Sequence, residues 1–121
     1  MRLGPLLGFE QSFDTVVTVA REMEAVGAGS VMLAEAGRSA VTQAAAVIAA
    51  TESIEVGTYV VNAFARSPWL TGLTARDLDE MSGGRFVMGV GTGNPHFNDW
   101  YMGIDSTKPM AAMRDFVQIV R

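Results

Sequence analysis

Hydrophobic residues cluster along the chain into four short runs, which cover residues 3–8, 30–34, 54–61 and 86–90. Three of these runs are nearly continuous rather than alternating, as is typical of parallel strands that are buried on both faces. The segments between the runs have a helical period. We therefore predict four strands, each of which is followed by a helix.

The helical segments carry start and stop signals. The first is predicted over residues 12–26, where Ser12 is a candidate N-cap and apolar positions repeat at the helical period. The second covers residues 39–51 and is apolar nearly all round, so we expect it to be buried on two sides. The last two contain a proline at or near their first turn and are predicted over residues 67–81 and 107–121.

Strands that alternate with helices favour βαβ units with right-handed crossovers and a parallel sheet. The sequence thus predicts an α/β fold in one domain that spans residues 1–121. In such sheets ligands bind at the carboxyl ends of the strands, so the segments that follow the strands are the places to search for chemistry.

Two of these segments contain candidate functional residues. Glu35 is the only carboxylate directly at a predicted strand end, where it can serve as acid, base or substrate anchor. The alternative is a helix-capping or ion-paired side chain beside Arg38. The glycine-rich residues 91–94 follow the fourth strand and allow the backbone to approach a flat ligand. A dinucleotide-binding loop would need a third glycine at the position of His96, so we reject that interpretation.

The stretch NPHFNDWYMG, residues 94–103, completes this part of the chain. We expect His96 to be a surface loop residue, with contact to a ligand as the alternative. Trp100 and Tyr101 are expected to cover a hydrophobic edge rather than to stack on a ligand.

Composition narrows the classes of function. The chain is 49% hydrophobic and 18% charged, so we expect part of its surface to be an interface. Its net charge is −4 and its basic residues are scattered, which argues against nucleic acid as a partner. There is no cysteine and one histidine, so we predict no metal site. We see no leader segment and no membrane-spanning run, and cytoplasmic localisation is the default expectation.

The region between residues 56 and 95 resembles the luciferase-like monooxygenase superfamily, and in particular its deazaflavin-dependent oxidoreductases. Three motifs carry the resemblance. They are G-x-x-V-x-N at residues 57–62, R-x-P at residues 66–68, and L-D-x-x-S-x-G-R-F at residues 78–86, which is followed by a G-x-G loop. The remainder of the chain fits the N-terminal half of that family but matches only its general βα pattern. Where relatives often have histidine after the acidic residue, this chain has Ala36.

The resemblance implies a TIM (β/α)8 barrel with a flavin or deazaflavin in its mouth. It implies a cis peptide bond between Tyr59 and Val60 that backs the ring, and a proton-transfer role for Glu35. The residues that it implies for cofactor binding lie at the third and fourth strands: Thr58, Tyr59, Val60, Asn62, Gly91, Thr92, Gly93 and Asn94.

The expected activity is hydride transfer between a deazaflavin coenzyme of the F420 type and a small organic substrate. One alternative is a monooxygenase that uses FMN and molecular oxygen. The other is a half-barrel subunit or fragment that does not catalyse.

A complete barrel of this type needs eight strands and about 250 residues. The four predicted strands correspond to a half-barrel, which would expose two sheet edges and an apolar face. Three explanations remain open: the chain is a fragment of a longer protein, it pairs with a complementary half-barrel chain, or it forms a homo-oligomer.

Overall fold

The computed structural model describes residues 3–121; Met1 and Arg2, where the predicted domain begins, lie outside the described residues. The strands are β1 (Leu6–Leu7), β2 (Ser30–Leu33), β3 (Glu55–Thr58), β4 (Val61–Asn62), β5 (Phe86–Val87) and β6 (Val90–Gly91). The helices are α1 (Phe13–Ala25), α2 (Ala40–Ala50), α3 (Pro68–Ser82), α4 (Pro95–Tyr101) and α5 (Pro109–Val120).

The strands form a parallel sheet in the order β1-β2-β3-β5, and β4 and β6 form a second parallel pair. The predicted α/β architecture of four βα units, a half-barrel with a parallel sheet, is confirmed. The first predicted strand is shorter in the structure, where β1 comprises Leu6 and Leu7, in register with Met32 and Leu33 of β2.

The third and fourth predicted strands were wrong in one respect, because each is interrupted. The peptide bond between Tyr59 and Val60 is cis, and the chain resumes pairing as β4 only after it. The Thr58 hydroxyl, at the end of β3, donates to the Gly89 carbonyl oxygen at 2.8 Å and accepts from the Gly89 N–H at 2.9 Å. Gly89 lies in the gap between β5 and β6, so these hydrogen bonds place that gap beside the gap between β3 and β4.

Serine caps begin three of the helices where the sequence predicts them. Ser12, Ser39 and Ser67 accept hydrogen bonds from the backbone N–H groups of Thr15, Thr42 and Leu70. Helix α2 packs against α1 on one side and α3 on the other, and it also contacts β2 and β3. Its predicted burial on two sides is confirmed.

Helix α4 was not predicted from the sequence, and His96, which was expected in a surface loop, lies in its first turn. Asn94 caps it by accepting from the N–H groups of His96 and Phe97, and Pro95 occupies its first turn. Trp100 and Tyr101 do not cover a hydrophobic edge, because each is 78% exposed. They stack instead along the helix surface on His96 and Phe97, with ring centroids 5.1 Å apart in both pairs.

Arg85, in the L-D-x-x-S-x-G-R-F motif, joins three segments at the amino end of the sheet. Its guanidinium donates to the carbonyl oxygens of Thr51 at 3.0 Å and Ile54 at 2.7 Å, and its Nε donates to Ser82 at 2.8 Å. The arginine therefore satisfies carbonyl groups at the end of α2 and in the following loop, which gives the motif a structural reason.

The two faces of the sheet differ in their cover. Residues such as Leu7, Val31 and Val56 belong to the buried core that the sheet forms with the helices. Neighbouring residues along a strand point to opposite faces. The other face carries a row that runs across all four strands in register: Leu6, Met32, Gly57 and Val87. The outer members of this row, Leu6 and Val87, are 42% and 43% exposed, so this apolar face is open.

Within residues 3–121, no helix combines the length and the apolar character needed to cross a membrane.

Candidate active site

A cavity of about 730 Å³ lies at the carboxyl end of the sheet, beyond β2 and beside β4 and β6. Its volume is in the range of small-molecule sites. Most of the lining residues are apolar or glycine, and a few are polar. The lining residues are Glu35, Ala36, Gly37, Val60, Asn62, Ala65, Arg66, Gly93, Asn94, Phe97 and Met102.

Glu35 and Arg66 form an ion pair in the wall of this cavity. Glu35 Oε1 contacts Arg66 Nη2, and Glu35 Oε2 accepts from Arg66 Nε at 3.2 Å. The same oxygen lies 3.4 Å from the backbone N–H of Asn62, which donates to it. The pair is partly buried, with side-chain exposures of 21% for Glu35 and 28% for Arg66. The carboxylate therefore ties the end of β2 to β4 and to the segment before α3.

The ion-paired alternative for Glu35 named the wrong partner. Arg38 does not reach the carboxylate; its guanidinium lies over the Phe13 ring, 5.4 Å from the centroid. Arg66 is 31 residues away from Glu35 in sequence. A contact of that separation depends on the fold and is not visible in local spacing.

A chain of side-chain amides supports the loop between β6 and α4. Asn62 Nδ2 donates to Asn98 Oδ1 at 2.7 Å, and Asn98 Nδ2 donates to the Thr92 carbonyl oxygen at 3.0 Å. Asn62 Oδ1 accepts from the Phe64 N–H at 3.0 Å. Asn98 was not among the predicted residues. Its position in the first turns of a helix capped by Asn94 was the only available signal, and the helix itself was not predicted.

The glycines of the loop make room for side chains of the protein itself. A Cβ atom on Gly91 would lie 2.5 Å from Val60 Cγ2. A Cβ on Gly93 would lie 2.5 Å from Asn62 Nδ2, and the φ of Gly93 is +69°, where other residues are strained. Internal packing thus accounts for both missing side chains, and contact between this loop and a flat ligand stays a prediction.

The predicted cofactor residues fall into two groups. Val60, Asn62, Gly93 and Asn94 line the cavity together with Glu35, the predicted catalytic residue. The other four are not among its lining residues: Thr58 is 2% exposed with its hydroxyl bound to Gly89, Tyr59 is 62% exposed, and Gly91 and Thr92 precede the lining part of the loop. Their roles stay predictions.

Sequence reasoning missed several lining residues. Arg66 was quoted only as part of the R-x-P motif, and Phe97 and Met102 lie in and after the helix that was not predicted. Ala65 and Gly37 carry no chemical signal of their own. Only the positions next to strand ends were accessible from the pattern.

A parallel sheet of βα units with a cavity at the carboxyl ends of its strands is the arrangement found in (β/α)8-barrel proteins. The family model described as luciferase-like monooxygenase matches residues 1–121, and the chain belongs to this family. The family resemblance seen in the sequence is thereby confirmed.

Individual relatives agree with this assignment. A candidate coenzyme F420-dependent oxidoreductase of Mycobacterium tuberculosis is 34% identical over 127 residues, which cover 100% of this chain and 36% of the relative. The solved coenzyme F420-dependent tetrahydromethanopterin reductase of Methanopyrus kandleri has a TM-score of 0.87 and 21% identity, over 98% of this chain and 39% of that one.

A third similar protein is the oxygenating constituent of 3,6-diketocamphane monooxygenase from Pseudomonas putida, solved in complex with FMN. It has a TM-score of 0.84 and 18% identity, over 99% of this chain and 39% of that one. The present chain therefore spans less than half the length of the proteins that it matches.

Proposed function

We propose that this chain forms the cofactor-holding part of an oxidoreductase that exchanges a hydride between a deazaflavin coenzyme of the F420 type and a small organic substrate. The observation that supports the proposal most strongly is the cavity at which Val60, the glycine loop and the Glu35–Arg66 pair meet. The 34% identical relative from Mycobacterium tuberculosis supports the choice of coenzyme.

The lining of the cavity fits a flat, largely apolar ring. Val60, Ala65, Phe97 and Met102 contribute apolar surface. The two charged lining residues compensate each other through their ion pair, so the cavity offers no strong field for a charged group. Such a site favours an uncharged ring system and an uncharged reacting substrate, because burying a single charge there would be costly.

Polar groups at the rim fit the polar edge of the same ring. Asn94 lines the cavity, and the half-buried Thr92 precedes it in the loop. Within residues 3–121 the Thr92 hydroxyl has no hydrogen-bond partner, so it is available to a ligand. A bound deazaflavin would supply the hydride chemistry. The residues of this chain would orient it, exclude water and fix the neighbouring carboxylate.

Glu35 is proposed to act first as an anchor. Its two oxygens already accept from Arg66 and from the Asn62 N–H, so the carboxylate is held in place at the cavity wall. Any proton that it exchanges with a substrate would have to compete with these contacts. We therefore retain Glu35 as the candidate proton partner and add Arg66 as the residue that orients it.

The alternative function is an FMN-dependent monooxygenase, which the FMN-bound neighbour of the same fold favours. Neither coenzyme can occupy a complete barrel mouth formed by this chain alone, because the face that carries Leu6 and Val87 is open. We propose that this face is covered by a complementary half-barrel, either from a longer chain or from a second copy.

Titration of the chain with coenzyme F420 and with FMN, followed by quenching of their fluorescence, tests the proposal. Ala65→Trp should block the cavity and weaken binding at least tenfold, because Ala65 is an exposed lining residue. Ala25→Trp, at an exposed position at the end of α1, is the matched control and should bind like the wild type.

The titrations are repeated with light scattering after size exclusion, so that binding is related to assembly. Stronger quenching of coenzyme F420 than of FMN supports the deazaflavin function, and the reverse order supports the alternative. If neither coenzyme binds in any assembly state, the result favours a non-catalytic half-barrel subunit or fragment and counts against both proposals.

A further inference from the structure

Asn98 does not line the cavity, but it contacts Asn62, which does, and Thr92 in the neighbouring loop. Its side chain is fully buried on α4, at 0% exposure. Its amide oxygen accepts from Asn62 Nδ2 at 2.7 Å and its amide nitrogen donates to the Thr92 carbonyl oxygen at 3.0 Å. Each polar atom of this amide is therefore engaged inside the protein, between the strand segment and the loop that border the cavity.

We propose that Asn98 is a positioning residue, which fixes the path of residues 91–94 along the cavity by holding Thr92 and Asn62 at a set separation. Which ligand binds beside this loop rests on the proposed function. The path of the loop does not rest on it, since that path can be measured on the protein without any ligand.

The chemistry of the position calls for an amide. One side must accept from Asn62 and the other must donate to Thr92, and an asparagine side chain offers both functions at this short reach. An ionised aspartate has the same shape but no donor, so it would leave an oxygen facing the Thr92 carbonyl. A leucine of similar volume would leave both partners without a hydrogen bond.

Gly93 is fitted to the same network. A Cβ atom there would lie 2.9 Å from Asn98 Oδ1 as well as 2.5 Å from Asn62 Nδ2. The loop can therefore run this close to the amide pair only without a side chain, and the amide pair in turn limits where the loop can lie. The absence of a side chain at Gly93 and the position of the Asn62–Asn98 amide pair therefore depend on each other, as expected if the amide pair positions the loop.

Asn98→Asp in the 121-residue chain provides a switchable test. When the introduced carboxyl is protonated it donates to the Thr92 oxygen and accepts from Asn62, which restores the native pattern. When it is ionised the donor is lost. Burial and the facing carbonyl favour the neutral form, so the change should occur above the pH at which an ordinary aspartate titrates.

Two quantities are measured across pH 4.5 to 8.5. In nuclear magnetic resonance spectra, the backbone amide signals of Thr92 and Gly93 should match the wild type at acid pH and move away as the introduced carboxyl ionises. The dissociation constant for coenzyme F420, taken as a ratio to the wild type at each pH, should stay within threefold at acid pH and rise at least tenfold above the midpoint.

Val47→Ala is the control for general destabilisation, because Val47 is fully buried on α2 and does not line the cavity. It should lower the unfolding temperature yet leave the loop signals and the affinity unchanged. Asn98→Leu should show the displaced signals and weakened affinity at every pH.

Loop signals of Asn98→Asp and Asn98→Leu that stay at wild-type positions throughout would overturn the inference, whatever the binding results. An equal loss of affinity in Val47→Ala would also overturn it. If the wild type binds neither coenzyme F420 nor FMN, the proposed function fails, and the loop signals alone decide the role of Asn98. If Asn98→Asp unfolds at alkaline pH, the loop signals at acid pH decide the outcome. Signals of Asn98→Asp that match the wild type there, together with displaced signals of Asn98→Leu, support the inference, and any other result overturns it.

Discussion

Glu24 should make the stability of this protein depend on pH in acid solution. One oxygen of its carboxylate, Oε1, accepts four hydrogen bonds from the loop before β3: from the N–H groups of Glu52 at 2.9 Å, Ser53 at 2.6 Å and Ile54 at 2.9 Å, and from the Ser53 hydroxyl at 3.0 Å. Three successive N–H groups that converge in this way form a site for an anion. The helix α1 is thereby clamped to the amino end of the sheet, opposite the cavity.

These hydrogen bonds stabilise the charged carboxylate. The backbone N–H groups of Ser53 and Ile54, with smaller contributions from the Ser53 hydroxyl and the Glu52 N–H, lower the pKa of Glu24 from 4.5 to about 2, against an opposing effect of burial. At full strength such a shift corresponds to about 3.4 kcal/mol of folding free energy. Because solvent reaches much of this carboxylate, we expect about 1 to 2 kcal/mol.

The sign follows from the lowered pKa. The stabilisation is fully present above the unfolded-state value near 4.5 and is lost as the pH falls through the folded-state value near 2. Glu24→Gln removes the charge, so at pH 7 it should lower the free energy of unfolding by about 1 to 2 kcal/mol. The difference between variant and wild type should shrink as the pH is lowered from 5 towards 2.

Urea unfolding followed by circular dichroism at a series of pH values measures this difference. Glu22→Gln is the matched control, since Glu22 is an exposed residue on the same helix with no side-chain hydrogen bond within residues 3–121. Equal stabilities of the two variants at pH 7 would refute the reasoning. So would a deficit in Glu24→Gln that stays constant down to pH 2.

Three further predictions concern the sheet end and the site. Arg85→Lys should lower the free energy of unfolding by about 2 kcal/mol in urea titrations, because a single ammonium cannot replace a guanidinium fork that serves several carbonyl groups. Gly93→Ala should lower the free energy of unfolding by at least about 1 kcal/mol more than Gly27→Ala, since both glycines have positive φ but only Gly27 has open space around it. Equal losses of stability in the two variants would contradict the crowding argument. A double-mutant cycle of Glu35→Gln and Arg66→Gln should give a coupling energy of about 1 kcal/mol or more, and additive effects would show that the pair is not energetically linked.

Local patterns were sufficient to predict most of the fold. Serine caps and proline starts fixed three helix boundaries to within one or two residues, because capping is a contact between near neighbours in sequence. The continuous apolar runs predicted a parallel sheet for an equally local reason. Helix α4 was missed although Asn94 and Pro95 signal a start, because seven residues are too few to display an apolar stripe.

The site was less predictable, since its contacts join residues that are far apart in sequence. The run over residues 54–61 gives no internal sign of its interruption, and only the family resemblance implied the cis bond between Tyr59 and Val60. The pairing of Glu35 with Arg66 spans 31 residues, and that of Asn62 with Asn98 spans 36. Nothing in the local spacing of these residues identifies the partner.

The glycine loop shows how a correct observation can have a different cause. A glycine indicates that something approaches the backbone closely, but it does not identify what approaches. Here Val60 and the Asn62–Asn98 amide pair occupy the space next to Gly91 and Gly93.

The cavity wall is therefore held by the protein's own contacts, in a shape that does not depend on a ligand. Under the proposed function, a coenzyme bound at this wall would lose little affinity to ordering of the loop, because the hydrogen bonds that fix the loop are already made. What residues 3–121 do not supply is cover for the open face of the sheet, where Leu6 and Val87 are exposed. Affinity for a coenzyme should accordingly be limited by assembly of the second half of the barrel and not by folding of the loop.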